Sequence, residues 1–206
     1  MSRHTGAKYK LCRREGVNLF GPEKYDPKNR RGGPGQHGQA KPRMWEYYKH
    51  LRNKQVLKRM YQMSEKQFSN LVNITSKKYA KNKSQDHDMV LTQFLNRRLD
   101  NVVLRAGFAR TIMQARQMVV HGHFLLNGKK HNVPSYFVNI GDILTLKPAL
   151  QSSALYDLDT KNYQSPVWLS ANFTNFEIKV LEFPGETETQ GLPVDVLKVI
   201  EFYARA

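Results

Sequence analysis

The net positive charge of this 206-residue chain is concentrated toward one end, and that segregation restricts its fold and its partner more than any other feature. Residues 1–83 hold 21 Lys and Arg against 5 Asp and Glu, which accounts for the whole net charge of +16, whereas residues 84–206 hold 12 of each sign. The second part divides again, with 8 basic and 2 acidic groups in residues 97–147 and 4 and 8 in residues 148–206. A surface that serves solubility alone intersperses the two signs. Segregation instead creates a strong positive field over one region, and a polyanion is the partner such a field suits. Membrane-surface helices pair a basic face with a wide apolar one. Residues 1–44 show no helical periodicity, so the reading is nucleic acid and not a membrane. Composition does not separate RNA from DNA.

Other classes fall away quickly. Apolar residues make up 40% of the chain, enough for a packed core in one or two domains. The single cysteine, Cys12, has no partner for an intramolecular disulfide. No apolar run exceeds three residues, against the roughly 20 of a membrane-spanning helix, and the first residues lack the apolar stretch of a secretory signal. The expectation is a soluble protein of a reducing compartment.

Residues 1–44 are rich in Gly, Pro, Lys and Arg, and Gly21-Pro22, Asp26-Pro27 and the run Gly32 to Gly38 punctuate them. They are predicted to lack regular elements and to become ordered against a partner. Tyr9, Leu11, Leu19, Phe20 and Tyr25 supply anchors. Residues 45–61 contain no Gly or Pro and read as a helix with Lys49, Arg52 and Arg59 in one quadrant. Ser64 and Gln67 form a capping box that opens a short helix to about Val72. Residues 76–88 read as a polar linker and domain boundary.

Beyond Asp88 the pattern sharpens. Leu91, Phe94, Leu95, Leu99, Val102, Val103 and Ala106 keep helical spacing up to a stop at Gly107. Thr111 and Gln114 cap a second helix that runs to His121 and ends at Gly122. The two helices must form a corner. Phe124 to Leu126, Asn127-Gly128 and Lys129-Lys130 predict strand, tight turn and strand. Residues 136–138 and 143–146 predict two more strands around a turn, 150–166 a loop, 173–183 a strand, 187–191 a turn and 194–203 a closing helix. The fold class is therefore α+β: a mainly helical N-terminal domain with an extended basic arm, plus a lobe built from a two-helix corner and a small antiparallel sheet.

The corner is the strongest candidate for binding RNA. Arg97, Arg98, Arg105, Arg110 and Arg116 surround it, with Gln117, His121, His123, Lys129 and Lys130 nearby. Arginine offers a planar fork of donors that matches phosphate oxygens, and lysine offers a point charge. Replacing Arg98 and Arg116 together is expected to weaken RNA binding without unfolding the chain. Asp100, among the arginines, is expected to form a structural ion pair. In the arm, Arg3, Lys8, Lys10, Arg13 and Arg14 are phosphate candidates, with Gln36 and His37 as donors in a run where glycines permit close backbone approach. On the helix that follows, Lys49, Arg52 and Arg59 complete the set. The glycine-rich run lacks the Lys-Ser/Thr ending of a P-loop, and no catalytic constellation is present.

Several stretches carry a resemblance. Lys10-Leu11-Cys12-Arg13-Arg14-Glu15-Gly16 and Pro34-Gly35-Gln36-His37-Gly38 lie in the arm. Arg98-Leu99-Asp100-Asn101-Val102-Val103, Ala115-Arg116-Gln117, His121-Gly122-His123 and Val133-Pro134-Ser135-Tyr136 lie in the corner and sheet. Pro166-Val167-Trp168-Leu169 and Leu192-Pro193-Val194 through Tyr203 follow. In this order, over nearly the whole chain, they resemble the bacterial-type family of small-subunit ribosomal protein S-four (uS4). The resemblance implies a structural, non-enzymatic protein of the small ribosomal subunit that binds the 5′ domain of 16S-type rRNA early in assembly. It also implies an interface with protein S-five that affects decoding accuracy, and a place beside the channel by which mRNA enters, with Lys41 and Arg43 at the matching positions; for those two residues another contact with ribosomal RNA is the alternative reading. No small-molecule substrate or membrane is implied, and the protein would reside in the small subunit of a cytoplasmic or organellar ribosome. Some relatives also repress their own message.

By the same resemblance, residues 1–44 form an rRNA-binding arm. Residues 45–88 form a helical domain completed by 190–206, and residues 89–189 form a lobe whose RNA-binding core is 97–147. Some relatives bind zinc through four cysteines in the arm. Here Tyr9 stands where the first would fall and only Cys12 remains, so no zinc and no other cofactor are expected. The same corner module is attached to certain RNA-modifying and tRNA-charging enzymes, but no block of this chain is left to form their catalytic domain. A non-ribosomal RNA chaperone or a DNA-binding factor stays open; competition with duplex DNA at matched salt separates the DNA version.

Overall fold

The structure, a computed structural model, describes residues 6–29, 32–40, 45–81, 86–156 and 163–204. The chain divides into two compact units, Met1–Thr92 with Glu188–Ala206, and Gln93–Thr187.

The first unit begins with a helix where none is predicted. Lys8–Glu15 form α1. The dense Gly and Pro punctuation starts only at Gly16, leaving the preceding nine residues free to coil. Gly16 ends the helix at φ 72°, its N–H on the Cys12 carbonyl at 2.8 Å, a left-handed conformation that glycine adopts without strain. The chain then folds back instead of trailing away. Cys12, Leu19 and Phe20 are buried, and the Leu19 N–H donates to Cys12 Sγ at 3.5 Å. Single 3-10 turns follow at Glu23–Tyr25 and Pro27–Asn29. Further on, Gly33 N–H donates to the Gly38 carbonyl at 2.8 Å. A Cβ on Gly38 would stand 2.1 Å from the Gly33 oxygen, so this closure requires glycine.

Helices α2 (Glu46–Met60) and α3 (Glu65–Lys81) are joined by a tight link with Gln62 at φ 52°. Ser64 Oγ accepts the Gln67 N–H at 3.3 Å, the expected cap. α3 runs nine residues beyond Val72, into the segment read as a linker. A polar composition does not by itself stop a helix, and here the far turns have packing partners. Thr75 is buried with its hydroxyl on the Val72 carbonyl, and Tyr79 stacks on His87 with ring centroids 4.5 Å apart. Near the C-terminus, Glu186–Gln190 form a short helix, α7, where a turn is predicted, and Val196–Ala204 form the expected closing helix, α8. α8 lies along α2 and α3, with Phe202 against Tyr47 and Tyr203 against Phe68.

α4 (His87–Asn96) leads into the second unit, followed by α5 (Leu99–Arg105). The sequence predicts one helix through this stretch, but the chain breaks at Arg97-Arg98. Arg98 is extended (φ −62°, ψ 137°) and pairs with Phe137 as an isolated antiparallel bridge. The Leu99 and Asp100 N–H groups donate to the carbonyls of Tyr136 and Pro134 at 2.8 and 3.1 Å. Two donors that a helix start would leave orphaned are thereby satisfied by a distant loop. That loop is the predicted 136–138 strand, which makes only this one bridge.

α6 (Ile112–Val120) starts at Thr111, whose Oγ1 accepts the Gln114 N–H at 3.2 Å; Gln114 Oε1 returns to the Arg110 N–H at 2.9 Å. Among the described residues five antiparallel strands follow: β1 (Phe124–Leu126), β2 (Lys129–Lys130), β3 (Ile143–Leu146), β4 (Leu169–Asn172) and β5 (Glu177–Val180), in the order β2-β1-β3-β5-β4. Asn127 and Gly128 turn the first hairpin at φ 49° and 78°. The predicted 173–183 strand is found over its middle as β5; the residues before it form a turn with Phe176 at φ 52°, and β4 ahead of that turn is not foreseen. Leu99, Val102, Phe108, Met118, Phe124, Val138, Leu144, Trp168 and Ile178 form the core between the corner and the sheet.

Candidate nucleic-acid interface

The arginines around the corner divide into those that hold the fold and those that face outward. Asp100 lies at the first turn of α5 with its side chain fully buried. Its oxygens accept from Arg98 Nε and Nη2 at 3.2 and 2.9 Å and from Arg116 Nε and Nη2 at 3.0 and 2.7 Å. Two guanidinium forks on one carboxylate tie α5 to α6. Arg97 is also buried: Nε donates to the Val138 carbonyl, Nη2 to Asn139 Oδ1, and its guanidinium lies 4.2 Å from the Phe183 ring centroid. These are structural uses. Removing Arg98 and Arg116 would strand a buried carboxylate, so the expectation that their loss leaves the fold intact is corrected.

The outward set follows the exposed side of α6 and the first hairpin. Gln117 and His121 are one turn apart, Arg110 precedes the helix, and Lys129 and Lys130 continue on β2; all five are exposed. Gly122, at φ 65°, lets the Lys130 side chain cross within 3.1 Å of where a Cβ would stand, with Lys147 Nζ close behind. None of these cations is in an ion pair among the described residues. Lys147 is absent from the sequence-predicted set; it sits just past β3, and only the antiparallel pairing of β1 with β3 brings it to the end of α6. His123 is half-buried, its Nδ1 2.7 Å from the Tyr156 hydroxyl. Burial lowers its pKa from the ordinary histidine value, helped by His121 and Lys147, and burial raises that of Tyr156. Arg105 is half-buried at the end of α5, where its carbonyl accepts from the Tyr163 hydroxyl.

In the first unit the predicted cations divide in the same way. The Glu15 side chain is fully buried and takes Arg52 Nη1 at 3.0 Å and Arg59 Nη1, so α1 is clamped to α2 by two residues predicted to meet RNA. Burial pushes the Glu15 carboxyl up, and the two guanidiniums pull against it. Arg13 donates to the Gly32 and Gly33 carbonyls at 3.1 and 2.7 Å and fixes the glycine loop. Lys8 reaches over the Tyr25 ring at 5.9 Å. Lys10 and Arg14, one turn apart, and Gln36, His37 and Lys49 are exposed. Lys10, Arg14 and Arg59 rim a groove of about 440 Å³ whose other lining is Ala7, Leu11, Pro34 and Gly35. Arg3, Lys41 and Arg43 lie outside the described residues. Cys12 is buried, and burial raises its thiol pKa. Among the described residues no three His, Cys, Asp or Glu gather as a metal site would need.

Comparison with known proteins follows the same division. Residues 3–96 match the Ribosomal protein S4/S9 N-terminal domain, and residues 97–144 match the S4 domain. Across the whole of both chains, the sequence is 41% identical to small ribosomal subunit protein uS4 of Thermotoga petrophila and 38% identical to that of Clostridium tetani. It is 43% identical to that of Persephonella marina, over 99% of this chain and all of the relative. The chain belongs to the uS4 family. As a uS4 protein it is a ribosomal-RNA-binding structural component of the small subunit and not an enzyme. Its S4 domain begins at Arg97, where the helix breaks, and ends within β3. The uS4 chain adds β4 and β5 beyond that boundary to complete the sheet.

Proposed function

We propose that this uS4 chain is a primary binder of the 5′ domain of 16S-type rRNA, joining early where several RNA helices meet and nucleating assembly. The supporting observation is the division of its cations. Arg98 and Arg116 share the buried Asp100, and Arg52 and Arg59 share the buried Glu15 side chain, while Arg110, Gln117, His121, Lys129 and Lys130 form an exposed strip outside any ion pair among the described residues. A-form RNA hides its base edges in a deep groove. Such a strip therefore recognises phosphates and the shape of a junction more than sequence. Lys10, Arg14, Gln36, His37 and Lys49 supply the second exposed set.

The same reading places Lys41 and Arg43 beside incoming mRNA, sets an interface with protein S-five that tunes decoding accuracy, and needs no zinc. Chemical footprinting of small-subunit rRNA with and without the protein tests the main statement. Protection concentrated in the 5′ domain is expected; protection confined to other domains would overturn it. Replacing Lys41 and Arg43 by alanine should slow initiation on structured messages while leaving rRNA affinity unchanged. One zinc per chain in elemental analysis would reject the metal-free reading.

A further inference from the structure

The outer face of α3 carries cations that no carboxylate among the described residues pairs with. Phe68, Leu71, Val72 and Thr75 form its buried side. At 100° per residue Lys66, Asn70, Asn73, Lys77 and Lys81 fall within an arc of about 80°, directly opposite that side. All five are exposed, and Ile74, 51% exposed, borders them. The one carboxylate on α3, Glu65, is turned away and held by Lys54 at 2.7 Å, Lys58 at 2.8 Å and the Tyr203 hydroxyl at 2.7 Å. Lys66, Lys77 and Lys81 take part in no ion pair among the described residues.

Helix physics accounts for only part of this arrangement: Lys81 in the last turn suits the helix dipole, and the rest does not. Lys66 sits in the first turn, where the helix dipole disfavours a cation. Lys77 and Lys81 are four residues apart, a like-charge spacing that costs stability. An anionic partner relieves both. The stripe runs about 22 Å from Lys66 to Lys81 at 1.5 Å per residue. Between its cations stand two amides that both donate and accept, as a ribose 2′-hydroxyl does, beside one exposed aliphatic side chain. That combination matches the wide, shallow minor groove of an RNA duplex, which presents 2′-hydroxyls flanked by phosphates.

We propose that the outer face of α3 is a further rRNA-binding surface, distinct from the α6 strip and from the Lys10 and Arg14 set, with Lys66, Lys77 and Lys81 on phosphates and Asn70 and Asn73 on ribose hydroxyls between them. The inference rests on the rRNA-binding reading above. Two measurements on the full chain test it, both with a full-length small-subunit rRNA transcript. In the first, lysines of the free and RNA-bound protein are acetylated and quantified by mass spectrometry. Lys66, Lys77 and Lys81 should be modified freely without RNA and protected with it; equal modification in both states overturns the proposal. In the second, Lys66→Gln, Lys77→Gln and Lys81→Gln are combined and binding is followed from 50 to 300 mM salt. Loss of three phosphate contacts should lower the log–log salt slope by about 2–3 and weaken binding at least tenfold, with a melting temperature no lower than that of the wild type. If the wild type binds and the triple variant keeps its slope and affinity, the α3 surface alone is rejected. If the wild type does not bind the transcript, the rRNA-binding reading fails and takes this surface with it.

Discussion

Charged side chains that look alike in the sequence have opposite roles in the structure. Arg98 and Arg116 share the fully buried Asp100, so a change at the carboxylate leaves two guanidiniums facing each other in the corner. Breaking a buried pair from one side costs about 3–5 kcal/mol. Asp100→Ala should lose stability of that size in urea unfolding, and a loss under ~1 kcal/mol would show that the forks do not hold the corner. Lys129→Ala with Lys130→Ala should behave in the reverse way, leaving unfolding unchanged and weakening rRNA binding. Glu65 adds a pH dependence. Burial opposes its charge, but bonds from Lys54, Lys58 and Tyr203 prevail and hold its carboxyl down at about 2. Its folded pKa lies below the ordinary glutamate value near 4.5, so its stabilisation is full above that value and drains away as pH falls toward 2. Glu65→Gln should flatten the fall in melting temperature between pH 4.5 and 2; an acid limb identical to the wild type would refute the assignment.

At the scale of elements, local signals worked where the information is local and failed where a distant partner intervenes. The caps at Ser64 and Thr111, the Asn127-Gly128 turn and the stops at Gly107 and Gly122 are short-range chemistry, and each is found as read. Thr111→Ala removes the hydroxyl that accepts the Gln114 N–H and should cost about 1 kcal/mol. An unchanged midpoint in thermal unfolding would mean that Gln114, through Arg110, secures the helix start alone. The break at Arg97-Arg98 is different. Apolar spacing continues through it because α4 and α5 both supply the same side of the pattern, and only the carbonyls of Pro134 and Tyr136 interrupt the helix. α1 was hidden for another reason. Its helix is short and polar, and it depends on Glu15 meeting Arg52 and Arg59, 37 and 44 residues away.

For the molecule as a whole, the two ends of the chain complete one unit. α8 closes over α2 and α3, with the Asp195 N–H on Asn53 Oδ1 at 3.1 Å. Removing residues 195–206 should raise amide hydrogen exchange in α2 and α3 while β1, β3 and β5 keep their protection. Unchanged exchange in α2 would mean that α8 contributes little to the first unit. The candidate interface was partly legible at this scale. The excess of cations and its location were plain, because charge along a chain is additive and needs no folding to be counted. Which cations remain for a partner was not, because Arg13, Arg52, Arg59, Arg97, Arg98 and Arg116 are engaged by groups that become neighbours only on folding.

The sequence by itself determined the segregated positive field, the helical corner with its caps and stops, the tight first hairpin and the closing helix, since each depends on residues within a few positions or on simple sums. Tertiary structure alone decided the helix break at Arg97-Arg98, the burial of Asp100 and Glu15, the extension of α3 and the arrival of Lys147 beside α6. The extension of α3 rests on Thr75 burial and on Tyr79 stacking against His87, and the other three share one physical reason. An ion pair, a borrowed carbonyl or a strand pairing between residues far apart in sequence is favourable only once the chain has brought them together and excluded water from around them.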